Sequence, residues 1–99
     1  MIDMEKKEIY ARALKKYGVA QQRLMLIEEI GELLNAFAKL PRARAEVEDV
    51  IEELADVSIM VEQMALLYGW SRFESIREQK LQRLGERLDK LTNIRNAQI

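Results

Sequence analysis

Residues 27–57 read IEEIGELLNAFAKLPRARAEVEDVIEELADV, and this stretch decides the fold. On its N-terminal side Ile27, Ile30, Leu34 and Phe37 recur at steps of three, four and three, the repeat of one helical face. On its C-terminal side Val47, Val50, Leu54 and Val57 begin the same alternation, and Val61 and Met64 continue it. Between the two stands the only proline of the chain, Pro41, which disfavours helical backbone at Leu40 and predicts a helix end there. Helices joined by so short a break lie antiparallel, so a hairpin turning near Arg42 is expected.

Outward from this hairpin the sequence remains helical. A first helix is expected from about Asp3, its N-cap, to Tyr17, with Ile9, Ala13, Leu14 and Tyr17 on one face and Gly18 in the left-handed position that follows a helix. The second runs over about 20–39 and the third over about 44–68, closed by Gly69. Ser71-Arg72-Phe73-Glu74 has the pattern of a capping box and opens a fourth, whose Leu81, Leu84, Leu88 and Leu91 follow heptad spacing. Residues after about Asn93 are expected to fray. Residues 1–99 therefore read as one domain, an all-α antiparallel four-helix bundle.

Composition limits the chemistry. The 99 residues include no cysteine and no histidine, which excludes a Cys/His zinc site, a thiolate nucleophile and a Ser-His-Asp triad. Apolar residues make up 48% and charged residues 33%, as in a folded soluble chain. No apolar run approaches the roughly 20 residues of a membrane span, and no leader pattern opens the chain, so a cytoplasmic protein is expected. The net charge of −1 conceals a division: residues 1–27 carry six Lys/Arg and three Asp/Glu, residues 28–62 three and ten, residues 63–99 seven and four. The Lys/Arg are interspersed with acids and form no basic face, so nucleic-acid binding is not expected. The acidic middle needs a reason.

Glu29 and Glu32 lie about 60° apart on one helix, as do Glu53 and Asp56 on the next. In an antiparallel hairpin, residues whose numbers have a constant sum lie level. Glu32 with Glu53 and Glu29 with Asp56 share the sum 85, so four carboxylates should converge in two layers about 4.5 Å apart. On a helical wheel Glu53 and Asp56 fall beside Val50, Val57, Met60 and Met64 and point inward. Glu29 lies at the edge of an apolar arc with Met25, Leu33 and Ala36, while Glu28 and Glu32 lean further out. Facing carboxylates repel and resist desolvation, and a divalent cation relieves both costs. An all-oxygen set suits magnesium, with manganese as a substitute. For Glu46, Glu48, Asp49 and Glu52 a merely solvated acidic face is the preferred reading. For Glu29, Glu32, Glu53 and Asp56 metal binding is preferred.

At these residues the sequence resembles a known pattern. Glu28-Glu29-Ile30-Gly31-Glu32, then twenty residues, then Glu53-Leu54-Ala55-Asp56 is similar to the EExxE…ExxD signature of the MazG-like all-α nucleoside triphosphate pyrophosphohydrolases. Gln22-Arg23-Leu24-Met25, Leu54-Ala55-Asp56-Val57, Tyr68-Gly69-Trp70 and Lys80-Leu81-Gln82-Arg83-Leu84 extend the likeness to the short single-domain members, over about residues 18–90. The resemblance implies magnesium-dependent hydrolysis of a (d)NTP to monophosphate and pyrophosphate, by attack of a metal-activated water on the α-phosphorus. It places the metal on Glu29, Glu32, Glu53 and Asp56. It gives Glu28 a catalytic part, on a second ion or orienting the water, and it makes Lys80, Arg83 and Gln22 substrate-binding residues. It also implies a homo-oligomer, a homodimer or a tetramer built from dimers. Trp70, Tyr68 and Phe37 are candidates for stacking a base, but core or interface roles suit them better. The rival reading is a non-catalytic helical module for oligomeric interaction or nucleotide binding.

Overall fold

A computed structural model describes residues 2–42 and 46–97. They form α1 (Met4–Tyr17), α2 (Val19–Lys39), a 3-10 turn (Leu40–Arg42), α3 (Val47–Tyr68) and α4 (Trp70–Ala97), with no strand among the described residues. The chain is all-α with four helices, as expected. It divides into two compact units, Ile2–Tyr68 and the segment from Gly69 onward.

Each boundary has a local cause. Asp3 caps α1 by accepting hydrogen bonds from the amides of Glu5 (2.8 Å) and Lys6 (3.3 Å), which satisfies two otherwise unpaired donors. Gly18, at φ 85° and ψ 153°, both ends α1 and starts α2: its amide donates to the Leu14 carbonyl, and its own carbonyl accepts from Gln22. That backbone conformation is open almost only to glycine, and it replaces the left-handed helical one expected at this position.

Three boundary expectations are corrected, and a fourth lies outside the described residues. Leu40 keeps helical backbone (φ −55°, ψ −49°), because the chain tightens into a 3-10 turn and carries Pro41 within it. The expected start of α3 near 44 falls on Arg44, outside the described residues, and the described helix begins at Val47. Its entry is held by the Glu46 amide, which donates to Asp49 Oδ2 at 2.8 Å, half of a capping box. Ser71 is not a cap. Gly69, at φ 137°, lets α4 start at Trp70, and its carbonyl accepts from the Phe73 amide, so Ser71 already lies inside the helix. Nor does the chain fray after Asn93, since α4 continues to Ala97.

In the first unit α2 and α3 form the main helix pair and α1 packs on both. Tyr10, Ala36, Val50, Met60, Met64 and Ala65 are its buried apolar residues, joined by Gln22 and Gln63. Tyr10 donates to Glu62 Oε1 at 2.8 Å and ties α1 to α3, with Lys6 Nζ 3.7 Å from the same oxygen. The expected apolar face of α2 is not the buried one. Ile27, Ile30, Leu34 and Phe37 stand 59, 41, 64 and 47% exposed, and Val47, Ile51 and Leu54 of α3 are also exposed. Helix α2 is apolar on two arcs, and its neighbours cover the arc of Gln22, Met25, Leu26, Glu29, Leu33 and Ala36 instead. In the second unit every residue of α4 from Arg77 to Ala97 is exposed, the four leucines included.

Candidate metal centre

Helix geometry brings the acids together. Glu29 and Glu32 share a face of α2, Glu53 and Asp56 a face of α3, and the hairpin sets the two faces opposite one another. One carboxylate oxygen from each of Glu29, Glu53 and Asp56 lies within 4.8 Å of the other two. Glu29 and Glu53 are half-buried. Asp56 is exposed, which corrects the expectation that it points inward. It sits on the rim because the buried arc of α3 runs through Val50, Met60 and Met64 and leaves Asp56 at its edge.

The electrostatics are unfavourable without a cation. Glu29 Oε2 and Glu53 Oε2 are buried with no hydrogen-bond partner. Desolvation pushes the Glu29 carboxyl above the usual carboxylate range, and the charges of Glu32, Asp56 and Glu53 push it further. Glu53 is raised by the same causes: desolvation first, then Glu32 and Asp56. Glu32, exposed on α2, thus acts on both half-buried acids from the edge of the cluster. Two buried, unpartnered oxygens beside a third carboxylate form a donor set that a small hard cation fits.

A contact two helical turns away supports the same register. Gln22 Nε2 donates to Gln63 Oε1 at 2.8 Å, and the two numbers again sum to 85. Gln63 Nε2 reaches Met60 Sδ at 3.5 Å. Beside this pair Tyr17, Gln21, Gln22, Met25 and Met60 line a groove of about 340 Å³. Met25 and Met60 each stand one turn from a cluster acid, Glu29 and Asp56 respectively.

The other expected site residues have different surroundings. Glu28 is exposed one turn before Glu32 and is not in the close cluster. Gln22 is only 6% exposed, and its amide nitrogen is engaged by Gln63, so what it offers a ligand is its edge of the groove wall. Lys80 and Arg83 are exposed on α4, three residues apart in the second unit. Tyr68 accepts a hydrogen bond from Arg23 Nη2 at 2.6 Å. Trp70 packs on Phe73, whose ring Arg77 covers at 4.7 Å. Phe37 belongs to the exposed apolar arc. Glu46, Glu48, Asp49 and Glu52 are all exposed, as expected of a solvated face.

Sequence reasoning misses Gln63, Met60, Tyr17 and Gln21. The constant-sum rule, applied to amides as well as acids, finds Gln63; nothing in the spacing marks the groove. No family model, curated protein or solved structure matches the chain.

Proposed function

We propose that Glu29, Glu53 and Asp56, with Glu32 beside them, hold a divalent cation, magnesium or manganese, and that the protein is a nucleoside triphosphate pyrophosphohydrolase. The observation that carries this reading is the pair of buried, unpartnered oxygens on Glu29 and Glu53 converging with Asp56. The EExxE…ExxD resemblance supports the reaction, (d)NTP and water to (d)NMP and pyrophosphate, with cleavage between the α-phosphorus and the bridging oxygen. Magnesium, when bound, neutralises triphosphate charge and makes a coordinated water easier to deprotonate.

The chain's own residues divide the remaining work. Glu28, exposed one turn from Glu32, orients the attacking water. The groove of Tyr17, Gln21, Gln22, Met25 and Met60 seats the nucleoside one turn from the acids, its methionines meeting the ring and Gln21 and Gln22 its polar edge. The resemblance alone assigns Lys80 and Arg83, exposed on α4, to phosphate binding. Pyrophosphate release from a panel of (d)NTPs, in magnesium and in EDTA with the nucleotide product identified, tests the proposal. Magnesium-dependent monophosphate and pyrophosphate is the expected result; diphosphate and phosphate, or no turnover, defeats it.

The exposed apolar arc of α2 and the bare leucines of α4 favour a second reading, a helical interaction module whose function is association. The readings differ in magnesium linkage. At a hundred times its Kd the ion stabilises a folded site by about 2.7 kcal/mol, and a pure interaction module shows no such rise. Self-association is common to both, and a homodimer or a dimer of dimers is proposed for the enzyme.

A further inference from the structure

We infer that the buried Gln22–Gln63 pair fixes the register of α2 against α3 and thereby positions the two carboxylate layers; the positioning part rests on the metal reading above. The remainder of the α2–α3 seam has little to set a register. The buried apolar residues of the first unit are two alanines, two flexible methionines, Val50 and Tyr10; Leu26 and Leu33 of α2 and Val57 and Val61 of α3 are only half-buried, and no large side chain is completely buried. Along the seam, Met25 opposite Met60 tolerates sliding, while Glu29 opposite Asp56 and Glu32 opposite Glu53 repel and favour it. Apart from contacts among the carboxylates of Glu29, Glu32 and Glu53, which need a shared proton to be hydrogen bonds, two side-chain hydrogen bonds join α2 to α3 among the described residues. The one between Arg23 and Tyr68 is exposed, and its long arginine stem can follow a shift.

Of these two, the Gln22–Gln63 bond is the buried one, at 6 and 5% exposure. A slip of one turn sets Gln22 against Ile59 or Leu67, and Gln63 against Leu26 or Gly18, leaving two buried amides without partners. The contact of Gln63 Nε2 with Met60 Sδ orients the amide so that its oxygen meets Gln22. Gln22 lies seven residues from Glu29 and Gln63 seven from Asp56, about 10.5 Å along each axis and nearly in line. A register set at the glutamines is therefore set at the acids. Buried polar pairs are known to select helix register at a cost in stability.

The test uses the near-isosteric Gln22→Met/Gln63→Met double variant and the single Gln63→Met, which leaves Gln22 at the groove wall and serves if the double variant does not fold. The natural chain has no cysteine, so cysteines introduced at exposed Asn35 and Leu67 carry the only spin labels. Helix content and melting temperature should be kept or raised. Mn2+ affinity, read by electron paramagnetic resonance, should fall about tenfold or more, and the label separation should shift or broaden by about 5 Å, one helical turn. A merely structural pair would lower stability and leave the separation unchanged. Unchanged separation overturns the register assignment, and a changed separation with unchanged Mn2+ affinity overturns the positioning role. If the unsubstituted protein binds no Mn2+, the metal reading fails, and the label separation alone decides the register.

Discussion

Glu53 occupies the place in the hairpin least suited to a charge, half-buried, with one oxygen unpartnered and Glu32 and Asp56 beside it. Replacing it by glutamine removes repulsion and retains shape. Glu53→Gln should therefore raise the melting temperature in EDTA, abolish the stabilisation by magnesium, and lower turnover about a hundredfold or more. Asp56→Asn should cost turnover equally but change metal-free stability little, because Asp56 is exposed. Glu48→Gln, on the solvated face, should leave both unchanged. Calorimetry with and without magnesium, alongside turnover, checks all three; a Glu53→Gln variant that still gains stability from magnesium would remove Glu53 from the site. Tyr10 gives a separate pH signature. Burial, then the hydrogen bond to Glu62 and its charge, push the phenol up from 10.0 to about 12. A pKa raised on folding favours the protonated form, so this stability is fully present below pH 10 and is lost as pH rises through 12. The loss is on the order of 2–3 kcal/mol. Denaturant titrations between about pH 8 and 12 should show it in the natural protein and not in Tyr10→Phe, which should already be weaker at the lower pH by about 1 kcal/mol. Parallel curves for the two proteins would show that the bond does not form.

At the scale of elements, two glycines provide opposite tests of why the helices lie where they do. Gly18 joins α1 to α2 at φ 85° and ψ 153°, a conformation that an L side chain resists even though nothing lies within 4 Å of an added Cβ. Gly18→Ala should cost about 1–3 kcal/mol. Gly31 lies inside α2 with equally open space, so Gly31→Ala should stabilise by up to about 1 kcal/mol. Equal effects from the two substitutions in thermal denaturation would contradict the strained turn. These positions also mark how far the sequence can be read. Periodicity and punctuation give the four helices, and Asp3 and both glycine breaks are visible, because caps and turns depend on local chemistry. The constant-sum rule brings Glu29, Glu53 and Asp56 together from their numbers alone, since an antiparallel hairpin has one main degree of freedom. What periodicity does not give is the choice between two apolar arcs on one helix. The stripe from Ile27 to Phe37 has the pattern of a core face, yet the neighbours cover the arc that includes Gln22 and Glu29. That choice belongs to packing among three helices, and so does the groove beside Met25 and Met60.

At the scale of the molecule, what is left uncovered points to association. Ile27, Ile30, Leu34 and Phe37 of α2 and Val47, Ile51 and Leu54 of α3 are exposed in one unit, and Leu81, Leu84, Leu88 and Leu91 in the other. Apolar surface on this scale is uncommon on a monomer, and a 28-residue helix with every position from Arg77 onward in solvent gains little stability from packing of its own. A second copy is the simplest partner, because a two-fold pairing lets the same arc cover itself. The protein should therefore run as a dimer or tetramer at micromolar concentration by light scattering coupled to size exclusion. Leu34→Glu tests which arc is responsible. Leu34 is 64% exposed in the single chain, so the substitution leaves the fold of one copy almost untouched. If this arc is the interface, burying a glutamate there costs several kcal/mol, and the variant should dissociate while keeping its helical circular dichroism. Magnesium stabilisation should then survive in the monomer, since Glu29, Glu53 and Asp56 all belong to the one α2–α3 hairpin. A natural protein that is already monomeric would defeat the association argument, and a Leu34→Glu variant that still assembles would move the interface to the leucines of α4.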